Sequence, residues 1–415
     1  MSAIWLLMGL LLLAYLGSFL VGSHAIRGIG LPSGVEYVVL GFLVGPKVLG
    51  LLEGSALEIF DPFAHVALGW LMFVVGATYG VSRDRKLSAG RLLGGWLVAV
   101  FTGALVGAAV WAFLAWRAPL LPPPSRLILA GGVGAVASET TRYAVRWVVE
   151  RHHAAGPVSQ LIGEIAECDD LVPLLAAAVL FAFAPPAELV IAVPRWGLVA
   201  VTLGIGIILG AMAAALLGRT FRIADAWGAL LGMSLFAVGI SARLGLSTIT
   251  TMFVLGLTLS TLSPHRRELS AMLSPTEHPV MLPALLLAGA HVDFGAAPYL
   301  PFVMGIAIAA RVLGKWLAGL GVITVSSAGR PAGKRLGLGL LSAGALSMSV
   351  GLAFALRFPG PIGAVVLATA AGITVFGELV GPASLRAVLT RAGETREEAP
   401  PAPPPPIASA GGEAL

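Results

Sequence analysis

Charge is what this chain has least of: Asp, Glu, Lys and Arg make up 11% of its 415 residues, while 57% are hydrophobic. Ordinary soluble domains carry about 25% charged residues, so this composition excludes one and implies an all-α polytopic membrane protein. There is a single cysteine, Cys168, so no intramolecular disulfide can form. It lies inside an apolar run and reads as a small buried hydrophobe. Walker A, GxSxG, HExxH and paired CxxC patterns are all absent, which leaves no nucleotide-driven or hydrolytic chemistry and no cofactor to expect. Any energy coupling has to come from an ion gradient. The net charge of +5 is accounted for by basic loops between apolar runs, so nucleic acid is not an expected partner; the lipid bilayer is.

What is present is a series of about thirteen apolar runs, each roughly long enough to span a bilayer. They begin near Ile4, Leu31, Pro62, Leu93, Ser125, Pro157, Trp196, Ala226, Leu246, Met272, Pro298, Leu336 and Pro361. The first, Ile4 to Val21, lacks a basic leader and reads as a retained helix. The boundary between the eighth and ninth is the weakest, with only Gly239 to Gly245 as punctuation. Basic residues test the count, because cytoplasmic loops collect Lys and Arg. With the N-terminus outside, the inner ends hold 18 of the 26: Arg27, Arg83, Arg85, Lys86, Arg91, Arg142, Arg146, Arg151, Arg219, Arg222, Arg266, Arg267, Arg330, Lys334, Arg335, Arg386, Arg391 and Arg396. Arg117, Arg126, Arg195, Arg243 and Arg357 fall at outer ends, and Lys47, Arg311 and Lys315 within spans. An odd number of helices with the C-terminus inside follows. Residues 1–391 form the transmembrane domain, and 392–415, charged and then rich in Pro, Gly and Ala, read as a disordered cytoplasmic tail.

Against that background Asp169 and Asp170 stand out, midway along the sixth run, Pro157 to Phe183. One central aspartate costs roughly 2.5 to 3.5 kcal/mol to insert, so two in tandem imply an ion or proton pathway. Helical rise places Lys315 of the eleventh run and Glu139 of the fifth at similar depth, where Ser342, Gly344, Ser347 and Ser349 of the twelfth also fall. Neighbouring carboxylates titrate as a coupled pair, and a carboxylate that gives up its proton can admit a metal cation. Lys315 is their natural partner; Arg311, one turn earlier, is a substitute or pairs with another acid. Glu139 and Arg142, three apart, either bridge on one helix face or leave Glu139 to coordinate an ion. Glu164 and Glu167 either line a funnel for cations or partner Arg142 and Arg146. Glu378 reads as a structural partner, and His65, His278 and His291 as interfacial residues at span ends.

The fifth and twelfth runs read as interrupted helices. One holds Gly131, Gly132 and Gly134 before Ser138 to Thr141; the other holds Gly337, Gly339 and Gly344 among serines. Close helix packing by small residues is the alternative. A weak echo joins the halves: Gly41, Gly76 and Gly134 recur as Gly256, Gly289 and Gly344, each in a similar short setting. It pairs runs two to six with nine to thirteen. Seven helices separate partners, so the two five-helix repeats are inverted, with interrupted helices crossing at the midplane.

With these residues in view, the chain resembles the monovalent cation:proton antiporters, in the bacterial branch with thirteen helices. The resemblance is carried by GFLVGPKVLGLL, LGWLMFVVGATYGVSRD, GEIAECDDLVPLL, RVLGKWLAG, LGLGLLSAGALSMSVGLAF and GELVGPASLRAVLTRAGE, and runs over roughly residues 4 to 395. It implies a homodimer in a bacterial inner membrane whose six-helix core carries Na⁺, with Li⁺ or K⁺ as alternatives, in exchange for H⁺. Asp170 would be the main cation ligand, Asp169 would pair with Lys315, and the segment Ser138, Glu139, Thr140 and Thr141 would help coordinate. An Asp-Asp pair with a lysine is similar to the electrogenic members. The fifth run departs from the family: ASETTRYAVRW has no proline and inserts Glu139 and Arg142. Outside this family, a symporter of a small organic anion, a K⁺ conductance and, more remotely, an intramembrane enzyme are the competing readings.

Overall fold

The computed structural model describes residues 3–22, 34–82, 89–184, 193–218 and 223–395, and every regular element among them is helical. The first four spans are α1 (Ala3–Gly22), α2 (Val35–Val44), α3 (Gly54–Ser82) and α4 (Ala89–Arg117). The fifth is split into α5 (Pro123–Ser138) and α6 (Arg142–Arg151), and the sixth bends between α7 (Pro157–Cys168) and α8 (Leu171–Phe183). Next come α9 (Arg195–Leu217), α10 (Ile223–Arg243) and α11 (Thr248–Leu262). A short amphipathic α12 (Arg266–Leu273) and one 3-10 turn lead into α13 (Glu277–Ala290), followed by α14 (Leu300–Val325). The twelfth span runs as 3-10 turns over Ser327–Leu340 and then as α15 (Ala345–Arg357); α16 (Pro361–Arg391) closes the series. Seven of the described spans are long and apolar enough to cross a membrane by themselves, and the chain is a multi-pass membrane protein. Prolines open α5, α7, α14 and α16 in the first turn, where a missing N–H costs nothing.

The helices sort into two packed units. A scaffold consists of α1, α2, α3, α10, α11 and α13, with α9 lying along α11. A core consists of α4 to α8, α14, the 3-10 turns, α15 and α16. In the scaffold, α2 meets α13 through Gly41 and Gly289, where an added Cβ would overlap the Leu286 and Val38 carbonyls. The helices α3 and α11 meet through Gly76 and Gly256 in the same way, against the Phe253 and Phe73 carbonyls. These are one contact seen twice: if span two corresponds to nine and three to ten, the pair of spans two and ten maps onto nine and three. The inverted repeat in the sequence is thus a two-fold relation between backbone contacts.

Several expectations change. Gly131, Gly132 and Gly134 stay helical in α5 and serve close packing, Gly134 against the Gly103 carbonyl; the break comes later, at residues 139–141. Lys47 is outside the second span, in the turn after α2, where it is more than half exposed and pairs with Asp293 at 2.9 Å. The tenth span starts at Glu277 rather than near Met272, because α12 and the 3-10 turn take up the intervening residues. The chain past α16 is not loose from its first residue. The buried Glu394 carboxylate accepts from the Val158 and Ser159 amides at 2.6 and 2.7 Å, capping the open N-terminus of α7. The rest of the expected tail, from 396, and Arg27, Arg83, Arg85, Lys86, Arg219, Arg222 and Arg396 lie outside the described residues.

Candidate functional site

Two helix breaks meet at the centre of the core. α5 stops because Glu139 and Thr141 take extended backbone angles (φ −73, ψ 161 and φ −67, ψ 121), and α15 starts after an extended Gly344. The Thr141 amide donates to the Ser342 carbonyl at 3.2 Å, joining the two breaks directly. Ser138, Glu139, Thr140, Thr141, Ser342 and Ser347 are all buried here. Each interruption leaves carbonyls without partners on one side and N–H groups on the other, so the crossing presents two negative and two positive helix ends.

Charged side chains answer those ends. Lys315, fully buried on α14, donates to the Ser138 carbonyl and Thr140 Oγ1, both at 2.7 Å, and to Asp169 Oδ2 at 3.3 Å. Arg311, one turn earlier on the same helix, donates to the Ala137 carbonyl and to those of Leu341 and Ser342 at 3.2 and 3.0 Å. The sequence left Arg311 as a substitute partner for the aspartates or a partner of another acid; its hydrogen bonds go to the carbonyl ends of both interrupted spans. Glu139 does the converse. Its Oε1 accepts from the amides of Gly344 and Ser347 at 2.7 and 3.3 Å and lies 3.0 Å from the Ser347 hydroxyl, capping α15. A Glu139–Arg142 bridge on one helix face does not form, since Glu139 lies in the break and turns to α15 while Arg142 opens α6 and turns to Glu277.

Arg142 turns elsewhere. Its Nη2 donates to Glu277 Oε1 at 2.6 Å, and its Nη1 lies 4.0 Å from Asp170 Oδ2. The Tyr143 hydroxyl donates to the same Glu277 oxygen. Glu277 and Tyr143 are absent from the residues expected at the site. Glu277 follows Ser274-Pro275-Thr276 at a helix start, where an acid ordinarily serves the dipole, and nothing in the sequence separates it from an interfacial carboxylate.

Asp170, Glu139, Thr141, Arg142 and Glu277 face a cavity of about 20 Å³, walled on its apolar side by Leu71, Met72, Val75 and Met281. It has room for about one water-sized particle. A second cavity of about 860 Å³ runs between α6 and α7 past Arg146, Glu150, Gln160, Glu164 and Glu167, and Arg142 lines both. Glu164 and Glu167 therefore stand along the approach, not at the crossing. Glu378 is buried on α16 a turn before Gly381, which packs on Ser342; it lies beside the twelfth-span break and outside the bonds above. Asp169 Oδ1 and Ser342 Oγ are buried without a hydrogen-bond partner among the described residues.

The arrangement offers room for one small cation beside a carboxylate, in a space closed to larger solutes. The fold is shared with the sodium proton antiporter MjNhaP1 from Methanocaldococcus jannaschii. Its structure at pH 8 aligns with a TM-score of 0.71 at 14% identity, over 95% of this chain and all of that one. An electron-microscopy structure of the same antiporter aligns with a TM-score of 0.58 at 17% identity, over 93% of this chain and 96% of that one. A search of curated proteins finds no match. The family described as "Sodium/hydrogen exchanger, transmembrane" matches residues 11–391, nearly the whole span of helices. The chain belongs to the sodium/hydrogen exchanger family, a family of cation/proton antiporters and not of enzymes.

Proposed function

We propose that this protein exchanges Na⁺ for H⁺, with Li⁺ and K⁺ as alternative cations, at Asp170, and that the Asp169–Lys315 pair carries a second proton, so that the cycle moves net charge. One observation carries the reading. Among the side chains bonded at the crossing or lining its small cavity, four carboxylates (Glu139, Asp169, Asp170 and Glu277) face three basic groups (Arg142, Arg311 and Lys315). In a buried site that imbalance is costly, and one monovalent cation or one proton corrects it. Asp170 is where the correction falls, because Glu139 is committed to the α15 amides, Asp169 to Lys315 and Glu277 to Arg142. A cation and a proton then exclude each other at one carboxylate, and exchange follows from that competition.

The cavity size argues against an organic anion as cargo, and the surplus of negative charge argues against any anion. The basic-residue bias supports an N-terminus outside and a C-terminus in the cytoplasm of a bacterial inner membrane, with the α6–α7 cavity opening inward. A homodimer, as the family resemblance implies, belongs to the same reading. The test is a pH-dye assay in proteoliposomes holding an imposed ΔpH, with Na⁺, Li⁺ and K⁺ added in turn. Dissipation by one or more of them, abolished in Asp170→Asn, is the expected result. A wild-type protein inert to all three, or a D170N protein with unchanged exchange, overturns the reading.

A further inference from the structure

Arg142 and Glu277 stand on opposite units of the molecule. Arg142 opens α6 in the core, whereas Glu277 opens α13 in the scaffold. Glu277 is held firmly on its side: the preceding residue, Thr276, accepts from Trp70 Nε1 of α3 at 2.9 Å and donates to the Leu273 carbonyl at 2.7 Å. The guanidinium between them has two anionic neighbours, Glu277 at 2.6 Å and Asp170 at 4.0 Å, and it lies at the junction of the wide cavity with the small one. Both side chains of the pair are largely buried, so bulk water does little to screen this competition.

We propose that Arg142 is a tethered counter-cation that competes with the transported ion for Asp170, and that Glu277 sets ion affinity by drawing the guanidinium aside. The inference rests on Asp170 as the ion's ligand. With Glu277 ionised, Arg142 has its short hydrogen bond there, and the face of Asp170 toward the small cavity stays available. Without that charge the nearest carboxylate to Arg142 is Asp170, and a guanidinium is built to take a carboxylate with two parallel bonds. The arginine then fills the place of the cation. Since Glu277 belongs to the scaffold and Arg142 to the core, any sliding of one unit past the other breaks their bond and returns Arg142 toward Asp170. Ion affinity is thereby tied to the relative position of the two units.

The experiment is a titration of Na⁺, Li⁺ and K⁺ separately in the proteoliposome exchange assay at fixed pH, reading KM and kcat for wild type, Glu277→Gln, Arg142→Gln and the double variant, with D170N alongside. For the cation that drives wild-type exchange, E277Q is expected to raise KM about tenfold or more with kcat changed far less, given two charges about 4 Å apart in a poorly screened site. R142Q is expected to lower KM. The double variant is expected to match R142Q, with KM below that of wild type, because Glu277 acts only through Arg142. An unchanged KM in E277Q, or a double variant as impaired as E277Q, overturns the proposal. If E277Q does not accumulate folded, R142Q decides alone: a KM equal to or above wild type overturns it. Exchange that survives in D170N defeats the underlying assignment of Asp170, whereas loss in D170N with unmoved KM values elsewhere defeats only the role of Arg142 and Glu277.

Discussion

The two interrupted spans occupy equivalent positions in the inverted repeat, yet their breaks have opposite chemistry. The fifth is interrupted by Glu139, Thr140 and Thr141 and followed at once by Arg142. The twelfth is interrupted by Leu341, Ser342, Ala343 and Gly344, which bring no charge. The uncharged break is served by its neighbours: Arg311 takes its carbonyls and Glu139 its amides. The backbone is near-symmetric because helix packing through Gly41, Gly76, Gly256 and Gly289 requires only small residues at a register. Compensation of helix ends asks only that a charge of the right sign be close, from whichever element carries it. One repeat is free to supply charge for both.

That asymmetry can be broken in graded ways. The largest effect after loss of Asp170 is expected for Lys315→Ala, which removes the cation that pairs with Asp169 and donates to the Ser138 carbonyl. Breaking a buried ion pair from one side costs roughly 3 to 5 kcal/mol, so a clear loss of thermal stability should accompany an altered pH profile and altered charge movement. Solid-supported membrane currents read the last directly, and a K315A protein with the wild-type pH profile and current would remove the lysine from the cycle. Next is Glu139→Gln. It keeps the shape but gives up the charge at the α15 N-terminus, at an expected cost of about 1 to 2 kcal/mol, seen as a lower Tm. A Tm equal to wild type would show that the twelfth-span break does not depend on the fifth for its charge. Ser347→Ala is the mildest, removing one hydroxyl that lies between Glu139 and the Val136 carbonyl, with an expected loss of about 1 kcal/mol and retained exchange.

The parts of this site legible in the sequence are those where polarity is expensive. Asp169, Asp170 and Lys315 announce themselves because charges inside long apolar runs are rare, and helical rise alone puts them at one depth. The thirteen spans and the inverted repeat follow from apolar length and recurring glycines. What stayed hidden depends on knowing where a helix stops. Read as one helix, the fifth span sets Glu139 and Arg142 on a common face; broken at residues 139–141, it sends one to α15 and the other to α13. The glycines just upstream looked like the weak point but serve close packing instead, Gly131 against Leu180 of α8, Gly132 against Phe354 of α15 and Gly134 against Gly103 of α4. Glu277 and Glu394 were illegible for a different reason: each sits among polar neighbours at a span end, where a carboxylate costs little, and only the folded chain carries them to Arg142 and to the start of α7.

The central claim is that cation and proton compete for the one buried charge left unbalanced at the crossing. Its most direct test is calorimetry of Na⁺, Li⁺ or K⁺ binding to the detergent-solubilised full chain in buffers of different ionisation enthalpy, which reports protons released on binding. The expected result is proton release with each cation bound, an affinity that weakens as pH falls because protonated Asp170 cannot hold the ion, and no binding in D170N. Cation binding without proton release, or with an affinity indifferent to pH, would contradict the account.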